Sequence, residues 1–190
     1  MKNLKFKTAV LSTAFISTFA MSATNPANPT VGTDNTITST GTLDIFLTIN
    51  NVIQISDLDD INLGNYDPTM GGNTQGSDLF CVYSNTPSFT IRASSASGTG
   101  AYELQDSGAN GYDNIPYSLE YAAVDETGTV DTYATLNHGA DVSILERRTT
   151  TDCSGDGNNI SVRATIEETD ISSSFASDYT DTVTFVASPE

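Results

Sequence analysis

The sequence predicts an all-β fold, an antiparallel β-sandwich, and three observations carry that expectation. Apolar residues fall in short runs, several alternating with polar ones, and no window of 10–12 residues repeats with the 3.6-residue period of a helix. The runs are broken at close intervals by turn residues: Asp67-Pro68, Gly71-Gly72, Asn85-Thr86-Pro87, Gly98-Thr99-Gly100, Ser107-Gly108, Asn110-Gly111 and Gly155-Asp156-Gly157. Composition agrees. Charged residues make up only 16% of the 190, and polarity comes instead from 28 Thr and 21 Ser, of which Thr favours strands. Leu, Ile, Val and Phe number 42, slightly more than the roughly 20% below which chains tend to stay disordered, so the expected core is thin.

Taken in order, residues 1–23 have the form of a secretory signal peptide. Lys2, Lys5 and Lys7 precede an apolar stretch from Thr8 to Ala20, and small residues follow at Ser22 and Ala23, with cleavage after Ala20 or Ala23. That stretch is too short to span a bilayer, and no later segment reaches 18 apolar residues, so the mature chain is expected to be soluble and exported, without membrane insertion. Residues 24–41 are polar, contain Pro26, Pro29 and Gly32, and read as a flexible arm. In residues 42–50 the pattern changes: Leu43, Ile45, Leu47 and Ile49 alternate and place four aliphatic side chains on one face of an extended strand. Residues 51–190 form the sandwich domain. Its expected strands are Val52–Ile55, Ile61–Tyr66, Leu79–Tyr83, Ser88–Ala93, Ala101–Leu104, Ile115–Ala122, Val142–Leu145, Ile160–Ile166 and Tyr179–Ala187. The last is expected to end at Ala187, and no later strand is expected to pair with it. An exposed strand with aliphatic residues at every second position is a pairing hazard that exported proteins suppress, so Leu43–Ile49 is expected to have a partner.

Charge removes some function classes. The chain carries 24 Asp+Glu against 7 Lys+Arg, a formal charge of −17; without residues 1–23 it holds no lysine, and Arg92, Arg147, Arg148 and Arg163 face all 24 acids, or −20. Such a surface repels phosphate backbones and anionic lipid, which excludes nucleic acid as a main partner. No enzymatic activity and no cofactor are expected. The lone His138 sits in a loop sequence, and no Ser/His or Cys/His pattern is present, although a carboxylate pair of the glycosidase type could be hidden among the acids. Asp152 to Asn158 matches the opening of a calcium loop, but Arg163 occupies the twelfth position where a bidentate Glu is required, so no metal site is expected. Arg147-Arg148 reads as the solvated end of a strand. Cys81 and Cys153 are the only cysteines; an oxidising compartment favours their disulfide, two buried free thiols being the alternative.

At these residues the chain resembles the pilin subunits of archaic chaperone–usher systems, the spore coat protein U domain family, over about Gly41 to Ala187. Thr40-Gly41-Thr42-Leu43-Asp44-Ile45-Phe46-Leu47-Thr48-Ile49 is similar to that family's N-terminal extension, Ile61-Asn62-Leu63-Gly64-Asn65-Tyr66 to its L-(N/F)-(F/L)-G-x-Y strand, and Phe80-Cys81-Val82 to its strand cysteine. Ser88-Phe89-Thr90-Ile91, Pro116-Tyr117-Ser118-Leu119-Glu120-Tyr121 and Tyr179-Thr180-Asp181-Thr182-Val183-Thr184 are similar to its following, central and terminal strands. Where the family commonly has a first cysteine, this chain has Val52-Ile53, so a Cys81–Cys153 bond would be a rearranged bridge. The resemblance implies an immunoglobulin-like sandwich lacking its last strand, completed by a donor strand (Leu43, Ile45, Leu47 and Ile49) from a neighbouring subunit. It also implies neighbouring pilin subunits in a head-to-tail polymer, a periplasmic chaperone and an outer-membrane usher as partners, a fimbrium at the cell surface, and a role in adhesion or biofilm. The alternative is a monomeric secreted β-sandwich that binds carbohydrate or calcium, and a secreted hydrolase comes third.

Overall fold

The computed structural model of the chain describes residues 30–31, 37–39, 41–108 and 110–190; the expected signal peptide and most of the expected arm lie outside the described residues. The chain divides into two units, Met1–Ile49 and Asn50–Glu190. In the first, β1 (Thr30–Val31) and β2 (Ile37–Thr38) pair antiparallel. The sequence marks this stretch only as a polar arm. All four of its paired residues are β-branched, which suits them to a ladder.

The second unit is built almost wholly of strands. They are β3 (Ile53–Ser56), β4 (Thr74–Ser84), β5 (Phe89–Ser95), β6 (Glu103–Asp106), β7 (Ile115–Pro116), β8 (Ser118–Ala123), β9 (Ala134–Thr135), β10 (Asp141–Ile144), β11 (Ile160–Ile166), β12 (Tyr179–Thr180) and β13 (Val183–Pro189), with one helix, α1 (Glu168–Ile171). Every strand ladder among the described residues is antiparallel. One sheet has the order β3-β4-β11-β8-β9, a second β10-β5-β13, and a small third β12-β6-β7. The first two share a core. Phe80 and Val82 of β4 and Ile160 and Val162 of β11 pack with Phe89 and Ile91 of β5 and Ile144 of β10. A second cluster continues it through Ala93, Tyr102, Leu119, Leu136 and Ala164. This is the expected all-β antiparallel sandwich.

Alternation explains the two faces. In β5, Phe89, Ile91 and Ala93 are buried while Arg92 is exposed, where it pairs with Asp141 of β10 at 2.5 Å. In β11 the outward residues are covered too: Arg163 stacks 4.0 Å over the Tyr133 ring and bonds Glu120, and Tyr133 and Ser161 share a hydroxyl hydrogen bond of 2.7 Å.

Three expected elements come out differently. Ile61–Tyr66 forms no strand. It lies over the face of β4, so close to Gly76 that a Cβ there would stand 2.7 Å from Ile61 Cγ2, and from that position Ile61 and Leu63 enter the core without joining a ladder. The expected strand Tyr179–Ala187 is two strands, because the Asp181 carboxylate accepts the Thr182 N–H at 2.7 Å and breaks the run. Ile115–Ala122 likewise divides at Tyr117. The same Asp181 carboxylate accepts the Tyr117 hydroxyl at 2.7 Å, so one hydrogen bond joins the two points at which the chain leaves the small sheet for the main ones.

Candidate functional site

The candidate site is the side of the sandwich where each main sheet ends in a strand with a partner on one side only. β13 closes the second sheet and β3 closes the first. Cα atoms of the two strands come within 8 Å, yet no ladder joins them.

The register shows what each edge offers. Val183 lies opposite Ser95 and Pro189 opposite Phe89. Two bonds flank that ladder: the Ala96 N–H donates to the Thr182 carbonyl at 2.9 Å, and the Glu190 N–H donates to the Ser88 carbonyl at 3.1 Å. In an antiparallel pair the bonded positions alternate. Residues 182, 184, 186, 188 and 190 therefore turn their backbone groups towards β5, and Val183, Phe185 and Ala187 turn theirs outward. The same rule applies to β3. The Asn85 N–H donates to the Val52 carbonyl at 3.2 Å, which makes Gln54 and Ser56 the bonded positions and leaves Ile53 and Ile55 facing outward.

These outward-facing residues are also the ones whose side chains reach the core. Val183, Phe185 and Ala187 pack on the core clusters, Phe185 with its ring 5.3 Å from Phe80, and Ile53, Ile55 and Ile61 pack there from the other side. All six are only half-buried, whereas the residues they touch are fully buried. The core is thus thinly covered along this one side. Neither β3 nor β13 contains a charged residue, so the open side is apolar and rich in hydrogen-bonding backbone. One further strand would satisfy both features.

Of the residues singled out in the sequence, Leu43, Ile45, Leu47 and Ile49 are 73%, 89%, 84% and 73% exposed, and residues 43–49 join no strand. They have the composition of a strand and lack the pairing of one. Cys81 and Cys153 are joined in a disulfide, Cα atoms 5.9 Å apart, which ties β4 to the 145–159 loop. Arg148 departs from the sequence reading: far from being solvated, it is 1% exposed. Ile53 and Ile55 went unremarked as site residues in the sequence, because a four-residue strand shows too little alternation to mark an edge.

Other chemistry finds less support. Asp152 Oδ1 accepts the Ser154 N–H, and Asp156 Oδ2 accepts the N–H and the hydroxyl of Thr149, so the calcium-like sequence folds as a self-bonded turn. His138 packs edge-on against Tyr102. Two concavities of about 260 and 240 Å³ have carboxylates in their walls, Glu167 and Asp170 in one and Asp125, Asp131 and Glu146 in the other, but neither brings His or Cys to them. Among the described residues no helix is long and apolar enough to cross a membrane.

No protein-family model matches the chain, and no curated protein matches it. Among solved structures it is similar to a chain of the work described as "Chaperone-tip adhesin complex is vital for synergistic activation of CFA/I fimbriae biogenesis", with a TM-score of 0.46 and 18% identity. The similarity covers 74% of this chain and 42% of that one, so the chain spans less than half the length of the protein it matches.

Proposed function

We propose that the chain is a structural subunit of an extracellular fibre, built by donating Leu43–Ile49 of one copy to the open side between β13 and β3 of the next. The observation that carries this reading is the edge of β13. Its outward backbone groups belong to Val183, Phe185 and Ala187, and these same residues hold half-buried side chains over a thinly covered core.

The exposed segment has matching chemistry. Alternate residues of a strand repeat every 6.6–7 Å or so, which spaces Leu43, Ile45, Leu47 and Ile49 for successive positions along one apolar groove. Burying four such side chains at about 1.5–3 kcal/mol each offers on the order of 6–12 kcal/mol before the cost of ordering the strand. Each subunit gives with one surface and receives with another, so the contact is head-to-tail and grows as an open filament. A subunit with an uncovered apolar edge needs protection before assembly, which is the part assigned to a periplasmic chaperone and outer-membrane usher. Residues 1–23 would direct export, and the fibre would serve attachment or biofilm formation. The spore coat protein U domain family remains the family its strand motifs resemble.

The test is removal of residues 24–50 alongside Leu47→Asp in the full-length chain, with electron microscopy and light scattering as readouts. Both variants are expected to lose fibres while keeping the fold of residues 51–190. Normal fibres from Leu47→Asp would refute the assignment of the donor segment.

A further inference from the structure

A chain that carries a donor segment directly before its own open edge has an internal competitor to assembly. Only Asn50, Asn51 and Val52 separate Leu43–Ile49 from β3. Three-residue hairpin loops are common, and they call for a left-handed residue, a conformation that Asn tolerates. A hairpin turning at residues 50–52 would set Ile49 opposite Ile53 and Leu47 opposite Ile55, against the backbone groups that β3 leaves unpaired. The subunit would then fill its own edge and end the fibre.

Asn85 stands against that turn. Its Oδ1 accepts the Val52 N–H at 2.7 Å, its Nδ2 donates to the Asn50 carbonyl at 2.7 Å, and its backbone N–H donates to the Val52 carbonyl at 3.2 Å. In an extended chain, residues 50, 52 and 54 turn their backbone groups to the same side. Holding Asn50 and Val52 on the β4 side therefore continues β3 backwards in a straight line, and no turn or bend occurs at 50–52. A hairpin would swing the Asn50 carbonyl away from β4 and break that bond. The two states are mutually exclusive.

We infer that Asn85 is a positioning residue, a latch that keeps Asn50–Val52 extended and so directs the donor segment to a second copy of the chain instead of to its own edge. The inference rests on the strand-donation reading. Nothing about it requires Asn85 to touch the donor segment: the side chain acts through the backbone of the three connecting residues.

Asn85→Ala, Leu47→Asp and the double variant of the full chain, each refolded without other proteins, test the latch by light scattering after size exclusion and by thermal melting of the monomer fraction. Losing two side-chain hydrogen bonds should raise the monomer-to-polymer ratio of Asn85→Ala about tenfold. Its monomer, with its edge filled, should melt above the Leu47→Asp monomer, and adding Leu47→Asp should remove that gain. Asn85→Asp, which keeps the acceptor for Val52 but loses the donor to Asn50, should shift in the same direction by less. Polymerisation of Asn85→Ala at the wild-type ratio, or a monomer melting no higher than that of Leu47→Asp, overturns the latch while leaving strand donation intact. Wild-type polymerisation by Leu47→Asp overturns strand donation, and the latch with it.

Discussion

Arg148 is the largest fully buried side chain among the described residues, and it meets no carboxylate. Its Nε donates to the Gly157 carbonyl at 2.8 Å, and its Nη2 to those of Val124, Asp125 and Asn158 at 2.6, 3.0 and 3.2 Å. One guanidinium therefore gathers the chain after β8 and the loop before β11. Charge enters only at a distance: bonds from the Thr127 and Thr149 hydroxyls hold Asp125 and Asp156 below the usual carboxylate range, and Arg148 adds a smaller pull. Arg148→Met fills similar volume but leaves those carbonyls without their donor, and is expected to destabilise the domain by about 3 kcal/mol in urea unfolding. A loss well under that would mean that water replaces the guanidinium. No sequence rule separates Arg148 from exposed Arg147, because both follow a short strand; the difference comes from carbonyls 9 to 24 residues away in the chain. Tyr102 was equally inconspicuous. Burial, with a smaller contribution from the Asp181 charge, pushes its hydroxyl up to about 12, so the stability this group contributes is present below pH 10 or so and is lost as the pH rises towards 12.

Among the elements, the proposed function turns on the edge strands, and the disulfide anchors β4, the strand on which the β3 edge is paired. Cys81 lies opposite Ser56 at the end of the β3–β4 ladder, and closing 72 residues of chain to Cys153 stabilises the fold by ~4 kcal/mol in the chain-entropy account. Parts of β3 and β13 sit closer than two strand spacings, which would be about 9.6 Å. Admitting a donor between them requires these strands to part by roughly 2 Å where they approach within 8 Å. Spin labels at Gln54 and Thr184, both exposed, should report that parting between Leu47→Asp monomers and wild-type fibres. An unchanged distance would place the donor strand outside this gap. The strands themselves were largely legible: the alternation in Phe89–Ala93 and the apolar run Ile160–Ile166 correspond to β5 and β11. Ile61–Tyr66 was not, since an apolar run that crosses the face of a sheet has the same local pattern as one that joins its edge.

For the whole molecule, charge would set how the proposed filaments meet. In the proposed fibre, a subunit without residues 1–23 would be lysine-free and near −20 and would repel its neighbours sideways, while lengthwise growth would run through an apolar segment whose only charge is Asp44. Six carboxylates, Asp67, Asp106, Asp125, Asp141, Asp152 and Asp156, are held below the usual range, chiefly by side-chain hydrogen bonds from Thr69, Ser177, Thr127, Arg92, Ser154 and Thr149 respectively. Lowered values mean that these groups favour the folded state above their ordinary range and lose that effect as the pH falls through the lowered ones. They also stay ionised to a lower pH than free carboxylates, so lateral repulsion should persist to about pH 4 and fail below it. Fibres are expected to disperse at neutral pH and low salt, and to bundle in acid or near 1 M salt, where screening shortens to about 3 Å. Light scattering that rises equally at neutral pH and low salt would contradict this.

The sequence by itself determined the fold class, the alternating Leu43–Ile49 segment, the acidic character and the only available cysteine pair, because each is a local pattern or a count. Tertiary structure alone decided that β13 and β3 both end their sheets on the same side of one core, that Ile61 and Leu63 cover a face and join no ladder, and that Arg148 is buried. It also placed Asn85 against Asn50 and Val52, in the three residues that connect the Leu43–Ile49 segment to β3. Edges, faces and long-range hydrogen bonds are relations between residues distant in the chain, and the period of a strand is the same whether it has two neighbours or one.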